Sequence, residues 1–233
     1  MISFDFLNNN SLRDFGIKIK KRPLIPLAER NVTYTPIQGK SGSLTFDENT
    51  YKDITIAVDC YLVDNDLSEN IYNIKAWLSG GMGDLIFNFD NSRIYIAQVV
   101  NRIDIAQSLR VLGSFTIMFN CKPFAYDYNS YYFPLTIFTA TNMNNCGSYY
   151  CEPIITVNGT GNITLYVADQ VVSLTNVVGS ITLDSELQEA YKGDIPCNSQ
   201  MSGEFPIFKV GYSLIHWTGT VSSISIQPNF RWL

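Results

Sequence analysis

One histidine, His216, is all the imidazole the chain offers, and it sits in the strand-like run Ser213-Leu214-Ile215-His216-Trp217. No G-x-S-x-G elbow occurs anywhere, so nucleophilic catalysis of the Ser-His kind lacks both its base and its nucleophile. Charge is sparse, at 16% of residues, and its balance is acidic, with a net charge of −5 and a pI near 4.8. That excludes the basic surface needed to neutralise a phosphate backbone. No run approaches the roughly 18 apolar residues that a membrane-spanning helix requires. Thiols are few and odd in number: Cys60, Cys121, Cys146, Cys151 and Cys197. Cys146 and Cys151 have only Cys197 as a third thiol in their half, where zinc usually wants a second pair of Cys or His.

Other familiar constellations are incomplete. Asp64-Asn65-Asp66 opens like a calcium loop, but the sixth position is Glu69 instead of Gly and the twelfth is Lys75 instead of Glu. Gly80-Gly81-Met82-Gly83 follows a helical pattern and precedes no Lys-[ST], so it reads as a helix stop and not a phosphate cradle. Asp184, Glu186 and Glu189 are the densest carboxylates; their polar neighbours make them a solvated turn, not the acid pair of a glycosidase. No cofactor, no metal and no enzymatic activity are expected. Met1 to Phe6 carries an early acid and no apolar h-region, so the expectation is synthesis in a cytosol, with reduced thiols. Cys60 and Cys121 then read as small buried hydrophobes.

What is abundant is β-forming residue. The chain is 46% hydrophobic, with 14 Tyr and 14 Phe, which suffices for a real core and favours strands. Through Ala125 there are 13 Lys+Arg and 13 Asp+Glu; thereafter there are 3 and 8. This shift places an expected boundary near residue 128, giving domains 1–128 and 129–233. In the first, the expected strands are 2–7, 15–20, 54–62, 84–89, 93–100 and 111–121, with a turn at Asp90-Asn91-Ser92. One helix is expected after Asp66, with Glu69 completing a capping box and Leu67, Ile71, Ile74 and Leu78 on one face beside Trp77. In the second, the expected strands are 154–157, 163–167, 171–174, 180–184, 189–192, 207–212, 213–217 and 221–227. Asn158-Gly159-Thr160-Gly161-Asn162 predicts a hairpin turn. The pattern is that of an all-β sandwich.

The stretch 22–50 stands apart. It opens with Arg22-Pro23 and Pro26, which stiffen the backbone and bias it to extended geometry. Lys40-Ser41-Gly42 then turns the chain. It carries Leu24, Ile25, Leu27, Tyr34, Ile37, Leu44 and Phe46, with Val32. That is too many apolar groups for a solvated loop. These residues are the expected oligomer interface of an arm lying on a neighbouring subunit; the alternative is that the same hairpin packs on its own domain.

This same stretch carries a resemblance. Arg22-Pro23, Pro26, Arg30, Gly39-Lys40-Ser41-Gly42-Ser43-Leu44 and Tyr51 follow one another as in the distal tail proteins of long-tailed siphophages. The likeness continues in Ala76-Trp77-Leu78, Gly83-Asp84-Leu85 and Cys121-Lys122-Pro123-Phe124, and resumes in Gly203-Glu204-Phe205-Pro206, Gly211, Gly219 and Pro228. The resemblance implies a mainly β protein: an N-terminal ring-forming domain with one α-helix and an extended β-hairpin arm, then a C-terminal galectin-like β-sandwich. It implies a virion structural protein at the phage tail tip, six copies forming a ring, single or back to back. That ring joins the tail tube, built of the major tail protein, to the host-adsorption baseplate. Its further partners would be a tail-tip lysin or fibre protein and receptor-binding or baseplate proteins, with no nucleic acid and no membrane insertion. The alternative from another class is a carbohydrate-binding module or adhesin acting through the C-terminal sandwich, with Tyr149, Tyr150, Tyr166, Tyr191, Tyr212 and Trp217 as candidate stacking groups.

Overall fold

The computed structural model describes residues 1–63, 67–101 and 114–233. Contacts cluster in two compact units, Met1–Ala125 with Leu233, and Tyr126–Trp232.

The first unit begins with β1 (Phe4–Phe6), β2 (Asn9–Asn10) and β3 (Ile17–Ile19). An arm follows, made of β4 (Arg30–Pro36) and β5 (Ser43–Tyr51). Then come β6 (Ile54–Leu62), helix α1 (Leu67–Leu78), β7 (Gly83–Phe87), β8 (Asp90–Val99) and β9 (Phe115–Asp127). Apart from the arm, these strands form one sheet in the order β2-β1-β7-β8-β9-β6-β3. Strand β6 spans the residues its alternation predicts; Ile54, Ile56, Val58 and Cys60 are buried between exposed or half-buried neighbours. Asn88 and Phe89 make the turn between β7 and β8, whereas Asp90-Asn91-Ser92, expected to turn, already belongs to β8. A turn-forming composition extends over both positions, and the ladder closes at the Phe87–Asp90 pair.

Helix α1 presses Ile74, Trp77 and Leu78 onto the sheet, with Ile71 half-buried beside them. Asp66, and with it the expected capping pair with Glu69, lies outside the described residues. The far end is closed as expected: Gly80 N–H donates to Trp77 O, and Gly81 takes φ +95°, which suits a residue without Cβ. Trp77 is the keystone of this packing. It stacks on Phe15 at 4.3 Å and on Phe4 at 5.7 Å, and its indole Nε1 donates to Phe6 O at 2.8 Å. Phe119 meets Phe4 and Phe6 edge-on. Trp77→Ala is expected to cost about 3–5 kcal/mol and to remove the indole bond to the Phe6 carbonyl. Thermal unfolding followed by near-UV circular dichroism checks this; a change under 1 kcal/mol would contradict it.

The second unit opens with a short helix that the sequence reading missed, α2 (Tyr128–Tyr132), whose Ser130 N–H is capped by Asp127 at 2.8 Å. Its strands are β10 (Leu135–Ile137), β11 (Thr141–Asn145), β12 (Ile154–Val167), β13 (Gln170–Asp184), β14 (Glu189–Lys192), β15 (Ile195–Pro196), β16 (Met201–Ser202), β17 (Gly211–Gln227) and β18 (Arg231–Trp232). The sheet order is β10-β17-β12-β13-β14-β15, with β11 also on β17 and β16 on β13.

The Asn158–Asn162 stretch does not form the expected hairpin. β12 continues through it as one strand, and the turn lies at Ala168 and Asp169, between the paired Val167 and Gln170. Likewise 171–174 and 180–184 are one strand, as are 213–217 and 221–227. Of the expected strand 207–212, only the Phe208 bridge to Cys151 and the start of β17 exist. Glycine marks a bend as readily as a turn, and only the partner strand tells them apart.

Here the three long strands bend together. The β12–β13 register shifts between Gly161 and Ile163, and the β12–β17 register shifts at Asn158/Gly159 and between Thr160 and Thr164. Asn176 and Gly219 take positive φ at the matching level. Across the bend the buried positions of β13 change from Val172 and Leu174 to Val177, Ile181 and Leu183; those of β17 change from Ile215 to Ile224 and Ile226. The sheet thus folds over, and both halves send side chains into one core. Where the chain enters and leaves this unit, Asp127 N–H donates to Phe230 O at 2.8 Å and Phe230 N–H to Ser130 Oγ at 3.1 Å.

Candidate functional site

The arm begins where β3 ends. Lys20 N–H donates to Asp59 O, and residues 21–29 then run as a strap without ladder partners. Pro23 and Pro26 have no N–H to leave unsatisfied there. Ala28 tucks into the core of the first unit and anchors the far end of the strap. The hairpin is fixed at its root by several bonds. Lys52 N–H donates to Glu29 O at 2.8 Å, and Lys52 Nζ lies 3.2 Å from Glu29 Oε1. Arg30 Nε lies 2.7 Å from Asp47 Oδ2, its guanidinium sits over the Tyr51 ring at 5.9 Å, and it reaches Asn49. The Arg30 hydrogen bond, followed by the Asn49 backbone N–H, holds the Asp47 carboxyl below its ordinary value. Asn49, at φ +56°, lets the strand bulge above this root. Gly39 and Gly42, both at positive φ, shape the tip.

Among the described residues β4 and β5 pair with each other and with no other strand. In their register Thr33 faces Phe46 and Thr35 faces Leu44, while Tyr34 faces Thr45 and Val32 faces Asp47. The seven expected interface residues therefore fall into four places. Leu24, Ile25 and Leu27 lie on the strap, Leu44 and Phe46 on one hairpin face, Tyr34 on the other, and Ile37 at the tip. All seven are between 41% and 89% exposed. An isolated two-stranded hairpin is marginal in water, and this one also presents apolar side chains on both faces.

Sequence reasoning gave no sign of the groove beside it. Lys21, Pro23, Leu24 and Pro26 of the strap face Thr55, Ala57 and Asp59 of β6 across a space of about 480 Å³. The two groups are 29 to 38 positions apart in the chain, and only the folded course of the strap brings them together.

The chemistry-bearing candidates are dispersed. His216 stacks on Tyr166, its cross-strand neighbour, at 4.5 Å and 10°. Asp184 is buried and accepts the N–H groups of Glu186 and Leu187, as a turn-capping carboxylate does. Tyr149 and Tyr150 lie against the Arg231 guanidinium, which donates to Glu152 Oε2 at 2.7 Å. Tyr212 is exposed, while Trp217 packs against the core, so the six aromatic candidates do not form a common platform. Among the described residues no three His, Cys, Asp or Glu side chains gather as metal ligands, and no helix is long and apolar enough to cross a membrane.

All five thiols are free, and only Cys146 is exposed. Burial pushes Cys60, Cys121 and Cys151 up to about 12. An alkylating reagent at pH 8 is therefore expected to add once to the folded chain and five times after denaturation, as intact mass will show. Rapid native modification of a second site would refute that burial.

No family model and no curated protein matches the chain. Among solved structures, it resembles the SPP1 Dit (gp 19.1) protein, described as a paradigm of hub adsorption apparatus in phages infecting Gram-positive hosts. The likeness has a TM-score of 0.68 at 14% identity and covers 97% of each chain. The mainly β architecture expected from the sequence, with its helix and its projecting hairpin, is thus the Dit fold.

Proposed function

We propose that the chain is a non-enzymatic structural component of a phage tail tip, a distal tail protein whose copies close into a ring. The observation that carries this reading is the arm: an anchored hairpin with exposed apolar side chains, on a fold shared along nearly its whole length with a hub adsorption protein. Cyclic closure gives every arm the same patch on the next copy, so no arm is left unpartnered. The ring is a hexamer, single or back to back, with the major tail protein of the tube on one side. On the other side lie the tail-tip lysin or fibre and the receptor-binding baseplate proteins. The first unit forms the ring and the second is its galectin-like domain.

Light scattering and negative-stain images of the purified full chain test this. A six-fold ring is the expected result. A strictly monomeric mass at high protein concentration, in both low and high salt, would overturn it.

A further inference from the structure

We infer that strand β11, an open edge of the second unit, takes up an extended, uncharged segment of a different polypeptide as an added strand. Only the second unit is involved, so this contact stands apart from ring closure.

The edge is defined by the backbone groups that β17 leaves unused. β11 pairs with β17 from Thr141↔Ile215 to Asn145↔Gly211, and with no other strand among the described residues. On the far side of β17, Ala168 N–H donates to Leu214 O at 2.9 Å. The Leu214 carbonyl therefore points away from β11, and Leu214 and Asn142 form a pair that exchanges no ladder bonds. Alternation gives Asn144, opposite Tyr212, the same orientation. The N–H and C=O groups of Asn142 and Asn144 thus point outward from the sheet, while Thr141, Met143 and Asn145 hold the strand to β17. Outward donors and acceptors on alternate residues fit an extended main chain.

The edges of this sheet are built differently. Those opposite β11 are two-residue strands. β15 contains Pro196 and follows Lys192 and Asp194, and β16 is followed by Gly203-Glu204. Short strands, charges and proline are what keep an edge from pairing. By contrast, residues 128–151 contain no Asp, Glu, Lys, Arg or His. Leu135 of β10, Phe138 of its link to β11, Asn142 and Asn144 are all exposed, as are Tyr212 and Leu214 in register with the two asparagines. An edge without charge takes a segment without charge, because an ion brought here would lose water and find no partner. Head-to-tail pairing of copies through this sheet would need one of the blunted edges as donor. Pairing β11 with β11 is a two-fold contact, which a head-to-tail ring does not use. The occupant is accordingly another chain, with apolar side chains at alternate positions to cover Tyr212 and Leu214.

The probe is the capped peptide Thr-Val-Thr-Val-Thr-Val-Thr carrying an uncharged dye, titrated with the full-length chain and read by fluorescence anisotropy. The unaltered chain is expected to bind it. Amide hydrogen exchange at Asn142 and Asn144, open in the free chain, is expected to slow at least tenfold on binding, while Met143 is protected throughout. Asn144→Pro removes an outward N–H and no ladder bond. It is expected to weaken binding at least tenfold and to leave the unfolding temperature within a few degrees. A fully N-methylated probe, which alters no atom of the protein, is expected not to bind, and Glu in place of the central Val is expected to weaken binding at least tenfold. Absence of binding to the unaltered chain would overturn the inference, and so would binding that survives both Asn144→Pro and N-methylation. A doubling of mass in light scattering that Asn144→Pro abolishes would assign the edge to a second copy and overturn it equally. Ring closure is read from the mass of the unaltered chain and fails or stands on its own.

Discussion

A chain in which residues 31–50 are replaced by a short Gly-Ser linker is expected to stay folded and to lose the ring entirely. The replacement spares Ala28, which is part of the core, and the Glu29–Lys52 root. It removes strands that, among the described residues, pair only with each other. Little native packing of the first unit goes with them, so its unfolding temperature should move by no more than a few degrees. Association should change far more. Burying about four apolar arm side chains on a neighbour is worth roughly 6–12 kcal/mol gross, at about 1.5–3 kcal/mol each. Lost rotational and translational freedom offsets much of that, which is why repeated closure around a ring matters. Mass and circular dichroism on the same sample decide the outcome. Rings without the hairpin would end the arm hypothesis; an unfolded first unit would show that the hairpin belongs to its own core.

Gly159→Val is expected to unfold the second unit selectively. A Cβ at this position would overlap the backbone carbonyl oxygen of Thr220 and crowd Ile163 Cδ1 and Val221 Cα. The strands at this bend are held by ladders on both sides of β12, so a shift of one must move three. Overpacking of this kind costs about 3 kcal/mol, or about 12–24 °C for a domain of this size. Gly161→Ala is the informative neighbour. Its φ is +78°, yet a Cβ there meets nothing within 4 Å. Only backbone strain of about 1–2 kcal/mol remains. We further expect the two domains to separate: partial heating of the Gly159 variant followed by limited proteolysis should leave a resistant first domain, cut near residues 127–147. A single cooperative loss of both would show that the domains do not fold independently.

The two glycines also show where sequence reasoning stops. Strand β6 and the stripe of α1 were legible because periodicity reports burial directly: Ile54, Ile56, Val58 and Cys60 alternate, and Ile74 and Leu78 recur at helical spacing. The folded-over sheet was not legible. Asn158-Gly159-Thr160-Gly161-Asn162 suits a turn and a bulge equally, and the difference is set by β17, some sixty residues away. Helix α2 was missed because its only cue is the cap Asp127, within a run of tyrosines that favours strands. For the arm, composition alone showed an apolar excess in residues 24–50. It did not show that Leu44 and Phe46 share a face while Tyr34 takes the other, because facing depends on register. The groove lay furthest from view, being assembled from a proline-stiffened strap and the outward side of a strand whose inward side supplied the readable pattern.

The paired ends of the second unit, Asp127 against Phe230, give it the character of a cassette. A body whose two ends lie side by side can be lifted out of a gene, exchanged for another body with equally close ends, or circularly permuted by joining its termini and reopening the tight turn at Ala168 and Asp169. Its attachment therefore constrains its interior very little. Substitutions that remodel β11 or the outward side of β17 change what the cassette displays without altering how it is spliced into the chain, leaving this half free to diversify while the other half keeps its arm and groove.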